Sequence, residues 1–168
     1  MLIAMGLFAF SLVQSRREGS RVTANELPRT REYEVLSRVY PPAYRDLNAS
    51  GQRPAQFRAA IERYSQREYD AAIPALAAVV EKHPDLVEAR LYLGICYLFA
   101  NNRTAGIGQL RQVVDAGDTP YLEQARFYLA KGLLGNGDIA GARQQLNDAI
   151  AMHGDMRQQA ETLLARLK

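Results

Sequence analysis

Side chains able to do covalent or metal chemistry are scarce in this chain: 168 residues carry one cysteine and two histidines. Cys96 stands at helical spacing among Leu93, Tyr97 and Ala100, with no histidine or aspartate placed to activate it, so it reads as a small core residue. His83 and His153 each fall at the end of a helical stretch, where an imidazole meets the last carbonyls. Seventy residues apart, they lack a ligand signature and are expected to face solvent. The lone cysteine rules out a disulfide framework and any multi-cysteine zinc or iron–sulfur site within the chain. Gly106-Ile107-Gly108 begins like a dinucleotide-binding loop, but Arg111 holds the third glycine's place and no strand precedes it. Asp115, Asp118 and Glu123 gather near a turn without the convergence that calcium or acid–base chemistry needs. Asn48-Ala49-Ser50 and Asn102-Arg103-Thr104 fit the N-glycosylation pattern, which matters only in a secretory setting. The expectation is no catalytic residue, no metal and no cofactor; the chemistry left is non-covalent binding.

The charge distribution narrows the partner. The formal net charge of +3 lies wholly in residues 14–53, where eight arginines face five acids; residues 54–168 are balanced. Nucleic-acid binding needs basic side chains concentrated on one folded face, so it is not expected. The basic stretch instead follows Met1–Val13, a run without charge. As a helix, thirteen residues cover about 20 Å of the roughly 30 Å hydrocarbon layer. Residues 1–15 are therefore expected to be a membrane-anchor-like helix whose beginning lies outside this sequence. The alternative is a helix buried against the protein's own body in a cytoplasmic protein. The side of the membrane is open, because basic residues ahead of Met1 would reverse the bias set by Arg16 and Arg17.

Residues 16–53 read as a Pro/Tyr-rich linker. Pro28, Pro41-Pro42 and Pro54 punctuate it, so no long helix is expected there. Tyr33, Val35, Leu36, Val39, Tyr40, Tyr44 and Leu47 are too apolar for a flexible spacer, and this stretch is expected to pack against something.

Residues 54–168 are expected to form one helical domain. The segments 53–86, 87–120 and 123–156 align, with a two-residue insertion at Tyr121-Leu122. Arg90-x-x-Leu93-Gly94-x-x-Tyr97 is matched by Arg126-x-x-Leu129-Ala130-x-x-Leu133. The second halves carry Ala72/Leu76, Gly106/Leu110 and Ala142/Leu146, and polar turns separate the halves. Each segment thus predicts two amphipathic helices joined by a short turn. Small residues at Ala60, Gly94 and Ala130, and at Ala72, Gly106 and Ala142, let the paired helices approach. Residues 157–168 read as a capping helix, and Pro74, Gly106 and Gly108 are expected to kink or loosen the second helices.

Leu93-Gly94-x-x-Tyr97, Ala72-x-x-x-Leu76 followed by Pro84, and the 34-residue spacing resemble the tetratricopeptide repeat. The order apolar segment, linker and three repeats is similar to bacterial membrane-anchored repeat proteins. The chain departs from the family where Arg90 and Arg126 replace the large aromatic that opens the first helix. The resemblance implies an all-α, right-handed α-solenoid of three helical hairpins plus the cap. It also implies a concave groove lined by Phe57, Ile61, Tyr64, Glu88, Leu91, Ile95, Leu98, Gln124, Phe127, Lys131 and Leu134. Lys131 is a poor substitute for the several cations that clamp a peptide carboxylate in some members, so the implied ligand is an apolar extended or helical segment. The same residues could instead pack between helices, since a one-residue shift of register changes their face.

Two occupants are open: another protein, or the chain's own Tyr33 to Leu47, which tethering favours at an effective concentration of millimolar order. The function expected is a non-catalytic, membrane-associated interaction scaffold. The alternatives are a self-associating structural module that forms a homo-oligomer, and a small-ligand protein or enzyme using the groove as its pocket.

Overall fold

The computed structural model describes residues 27–46 and 53–167. The anchor-like residues 1–15, most of the linker's first part and the Asn48 glycosylation pattern lie outside them. The chain divides into two compact units, residues 1–32 and 33–168. Of the first, residues 27–32 are described and form the opening turns of a helix.

That helix, α1, spans Leu27–Ser37. It is a short helix of 11 residues in a linker where no long helix was expected. Pro28 stands in the first turn, where the missing N–H would have had no intrahelical acceptor, so the ring costs little there. α1 ends at Ser37, whose hydroxyl donates to the Glu34 carbonyl at 2.8 Å, and residues 38–46 continue without regular structure.

Seven further helices follow: α2 (Ala55–Ser65), α3 (Tyr69–Lys82), α4 (Val87–Phe99), α5 (Arg103–Asp115), α6 (Leu122–Gly135), α7 (Ile139–Ala151) and α8 (Arg157–Ala165). The described residues contain no strand. Each helix from α2 to α8 packs on the next in chain order, and α4 also touches α6. The result is a stack of three hairpins, α2/α3, α4/α5 and α6/α7, closed by α8.

The turn inside each hairpin repeats one device. Arg67, Asn101 and Gly137 have φ of 65°, 62° and 83°. Beyond each, a backbone N–H reaches back five residues: Glu68 to Arg63 at 3.0 Å, Asn102 to Tyr97 at 2.8 Å, Asp138 to Leu133 at 2.9 Å. This is the left-handed helix stop that satisfies orphan carbonyls. Asn102 and Asp138 then cap the following helix, accepting from Ala105 and Gly141 backbone N–H at 3.3 and 2.8 Å. Glu68 makes no such bond.

Small residues sit at the helix crossings. Ala60, Ala72, Ala130 and Ala142 are completely buried. A Cβ on Gly94 would stand 2.7 Å from Leu110 Cγ and 3.2 Å from the Gly106 carbonyl; one on Gly106 would stand 3.0 Å from the Gly94 carbonyl. The two glycines therefore face each other, and α4 and α5 approach as closely as backbones allow. α3 runs through Pro74 as a continuous helix. Arg90 and Arg126 bridge each first helix to its second: Arg90 Nη1 donates to Gln109 at 3.3 Å, Arg126 Nη1 to Gln145 at 3.0 Å and to Asp148 at 2.9 Å. A repeated polar clasp thus replaces the missing aromatic.

Candidate interaction groove

The first helices of the hairpins, α2, α4 and α6, present their side chains to residues 33–46. Tyr64 on α2 donates its hydroxyl to the Pro42 carbonyl at 2.6 Å. Tyr92 on α4 accepts the Arg45 backbone N–H at 3.0 Å. Lys131 on α6 donates to the Leu36 carbonyl at 3.1 Å. The first helices of all three hairpins therefore bind main-chain groups of one segment, Leu36 at the end of α1 and Pro42 and Arg45 in the irregular stretch that follows, the way a groove holds a peptide. Apolar anchors accompany these bonds: Leu36 and Val39 are buried, and the Tyr44 ring packs against Phe57 and Tyr92 with centroids 6.4 and 5.3 Å apart. Tyr64 and Tyr92 complete the cluster edge to face at 4.9 Å.

Beneath Tyr44 lies a buried charge network. Glu88, only 1% exposed, accepts the Tyr44 hydroxyl at 3.0 Å and pairs with Arg53 at 2.6 Å. Arg53 also reaches Asp46 at 3.2 Å and lies over the Phe57 ring at 5.9 Å. Burial pushes the Glu88 carboxyl above its ordinary range, while the Tyr121 hydroxyl, the Arg53 guanidinium and the Tyr44 hydroxyl pull it back down. At the surface, Arg45 pairs with Asp155 at 2.7 Å. Burial raises the Tyr44, Tyr64 and Tyr128 phenols, and pushes Tyr92 up to about 12. All four are neutral phenols at physiological pH.

The residues that the resemblance assigns to the groove separate into three sets. Phe57, Tyr64, Glu88 and Lys131 touch residues 33–46 or the Arg53 that secures them. Leu98, Gln124 and Phe127 line clefts beside the segment. Ile61, Leu91, Ile95 and Leu134 are buried core residues. Leu98 also reaches the helix crossing, its Cδ2 lying 3.0 Å from where a Gly132 Cβ would stand. Tyr92, Arg53 and Tyr121 were not among the groove positions that the resemblance implied. For Tyr92 a signal existed: Tyr92 and Tyr128 occupy equivalent positions of consecutive repeats.

Lys131 is the one groove cation of the implied set. Its ammonium rests 5.7 Å from the Phe127 ring centre, and burial lowers its pKa. Catalytic chemistry finds little footing. Cys96 is fully buried, and burial pushes its thiol up to about 12. His153 is exposed with Nδ1 3.0 Å from Arg157, and His83 is half-buried at the end of α3. Among the described residues no cluster of histidine, cysteine or acidic side chains could hold a metal ion. Also among these residues, no helix is long and apolar enough to cross a membrane.

Residues 57–119 match the model of the tetratricopeptide repeat family. Comparison with curated proteins returns no match. Among solved structures, the fold is similar to that of the Yersinia enterocolitica type III secretion translocator chaperone SycD, with a TM-score of 0.62 and 17% sequence identity. The match covers 67% of this chain and 80% of that one. At that identity the likeness concerns the fold.

Proposed function

We propose that this chain, whose residues 57–119 match the tetratricopeptide repeat family, is a non-catalytic interaction scaffold whose concave face holds an apolar segment of a partner protein. The observation that carries this reading is the segment already there. Tyr64, Tyr92 and Lys131 bind main-chain atoms of residues 36–45, and main-chain bonds are indifferent to side-chain identity. Hydrophobic anchors at Leu36, Val39 and Tyr44 supply the burial. The similarity to a chaperone of secreted translocators agrees with a role in holding another chain.

The test uses a chain in which Leu36→Ala and Tyr44→Ala weaken the resident segment. A fluorescein-labelled peptide of residues 33–47 is titrated against it and followed by anisotropy. Saturable binding that Tyr64→Phe and Tyr92→Phe together weaken is expected; an unsaturable signal, or one indifferent to those changes, refutes the groove. Membrane attachment through residues 1–15 belongs to the same proposal and rests on the uncharged run Met1–Val13. Co-flotation of the full chain, but not of a chain beginning at residue 27, with phosphatidylcholine/phosphatidylglycerol vesicles is the expected result.

A further inference from the structure

The resident segment does not fill the concave face. Beside it, a cleft of about 410 Å³ runs between the C-terminal half of α1, α6 and the capping helix α8. Its floor is Leu36, Phe127 and Leu163, all buried, and its rim includes Val35 and Tyr40. These two rim residues are 48% and 75% exposed, among the few large hydrophobics that the described residues leave to solvent. Contiguous apolar exposure of this kind marks an interaction surface.

The charges in the cleft have one sign. Arg38, Lys131 and Arg166 line it, and no aspartate or glutamate does. Among the described residues none of the three pairs with a carboxylate, whereas Arg45, Arg53, Arg126 and Arg157 all do. Glu34 lines the adjoining cleft, which Arg38, Tyr40 and Lys131 share, yet no ion pair joins it to either cation, and Glu161 on α8 is held by Arg157 at 2.9 Å. Lys131 rests on a neutral carbonyl and an aromatic face. An incoming carboxylate would meet cations whose electrostatic pull is strengthened by apolar walls and not already satisfied by a neighbour.

We propose that this cleft docks a partner segment carrying a large apolar side chain beside one or more carboxylates. The proposal rests on the reading of the concave face as a protein-binding surface and adds its location and chemistry. The resident segment is then part of the surface, since Val35, Leu36, Arg38 and Tyr40 all belong to it. The volume suits a few side chains of a peptide.

The experiment is a selection of displayed random peptides on the immobilised full chain, followed by anisotropy titrations of the strongest peptide, synthesised with a fluorophore. Recovered sequences are expected to place leucine, isoleucine or phenylalanine within two residues of aspartate or glutamate. Arg38→Glu with Arg166→Glu should weaken binding about tenfold or more, and added salt should weaken it too, while Arg111→Glu on an exposed site of α5 should not. Both reversed arginines are exposed, so unchanged thermal melting is expected to accompany the loss. Apolar peptides without acids that bind the reversed variant equally well overturn this proposal and leave the groove standing. Recovery of no peptide overturns both readings. Recovery of this chain's own sequences, with concentration-dependent sedimentation, replaces the foreign partner with a second copy and overturns this one alone.

Discussion

Where residues 42–46 cross α2 and α4, a buried carboxylate, a guanidinium and a set of tyrosines are joined in one network. Where residues 36–40 run beside α6 and α8, an ammonium rests on a neutral carbonyl and two arginines line a cleft without forming an ion pair among the described residues. One region of the concave face is closed by ion pairs and ring contacts within the chain. The other is floored with apolar side chains and rimmed by cations. The contrast teaches that a groove can be fastened at one end and receptive at the other, because polar satisfaction and apolar coverage need not coincide along it.

Deleting residues 33–47 tests the fastening as a whole. It removes the Leu36, Val39 and Tyr44 anchors and the side-chain-to-backbone hydrogen bonds made by Tyr64, Tyr92 and Lys131, so a stability loss of about 5 kcal/mol is expected in urea unfolding. An unchanged midpoint would show the segment to be a passenger. Arg53→Ala probes the closed end alone. It leaves Glu88 buried without its cation and should cost about 3 kcal/mol, and a loss below about 1 kcal/mol would mean that the pair merely balances its own desolvation. Tyr92→Phe should cost about 1 kcal/mol, because the Arg45 N–H loses its acceptor in a half-buried place. Lys131→Met, at the open end, should change stability by less than about 0.5 kcal/mol, since relief from burying a cation offsets the lost carbonyl bond. Should Lys131→Met prove as damaging as Arg53→Ala, the distinction between the two ends collapses.

The fold was legible because its determinants are local and periodic. Gly94 and Gly106 can be recognised as a close crossing from spacing alone, and the turn signals at Arg67, Asn101 and Gly137 fall where the chain reverses. The lining of the groove was only partly legible. Its assignment depends on register, and Leu91, Ile95 and Leu134 turn into the core while Tyr92, one residue after Leu91, reaches the segment. Arg53 was invisible as a site residue because its partner lies 35 positions away on α4, a contact that no periodic pattern encodes. The bounds of the short helix α1 were not legible, because a proline near its start reads as a breaker until its place in the first turn is known.

The three hairpin turns are alike in path but unequal in comfort. The third uses a glycine and the second an asparagine, each followed by a capping side chain; the first asks an arginine to adopt the left-handed conformation and follows it with an uncapped glutamate. A non-glycine residue there costs about 1 kcal/mol, and a missing cap about as much again. The first hairpin is thus the place where the stack opens soonest, and amide exchange should be faster in α3 than in α5 or α7. Tyr64 belongs to that hairpin, so release of Pro42 and loosening of the array's leading edge become a single event.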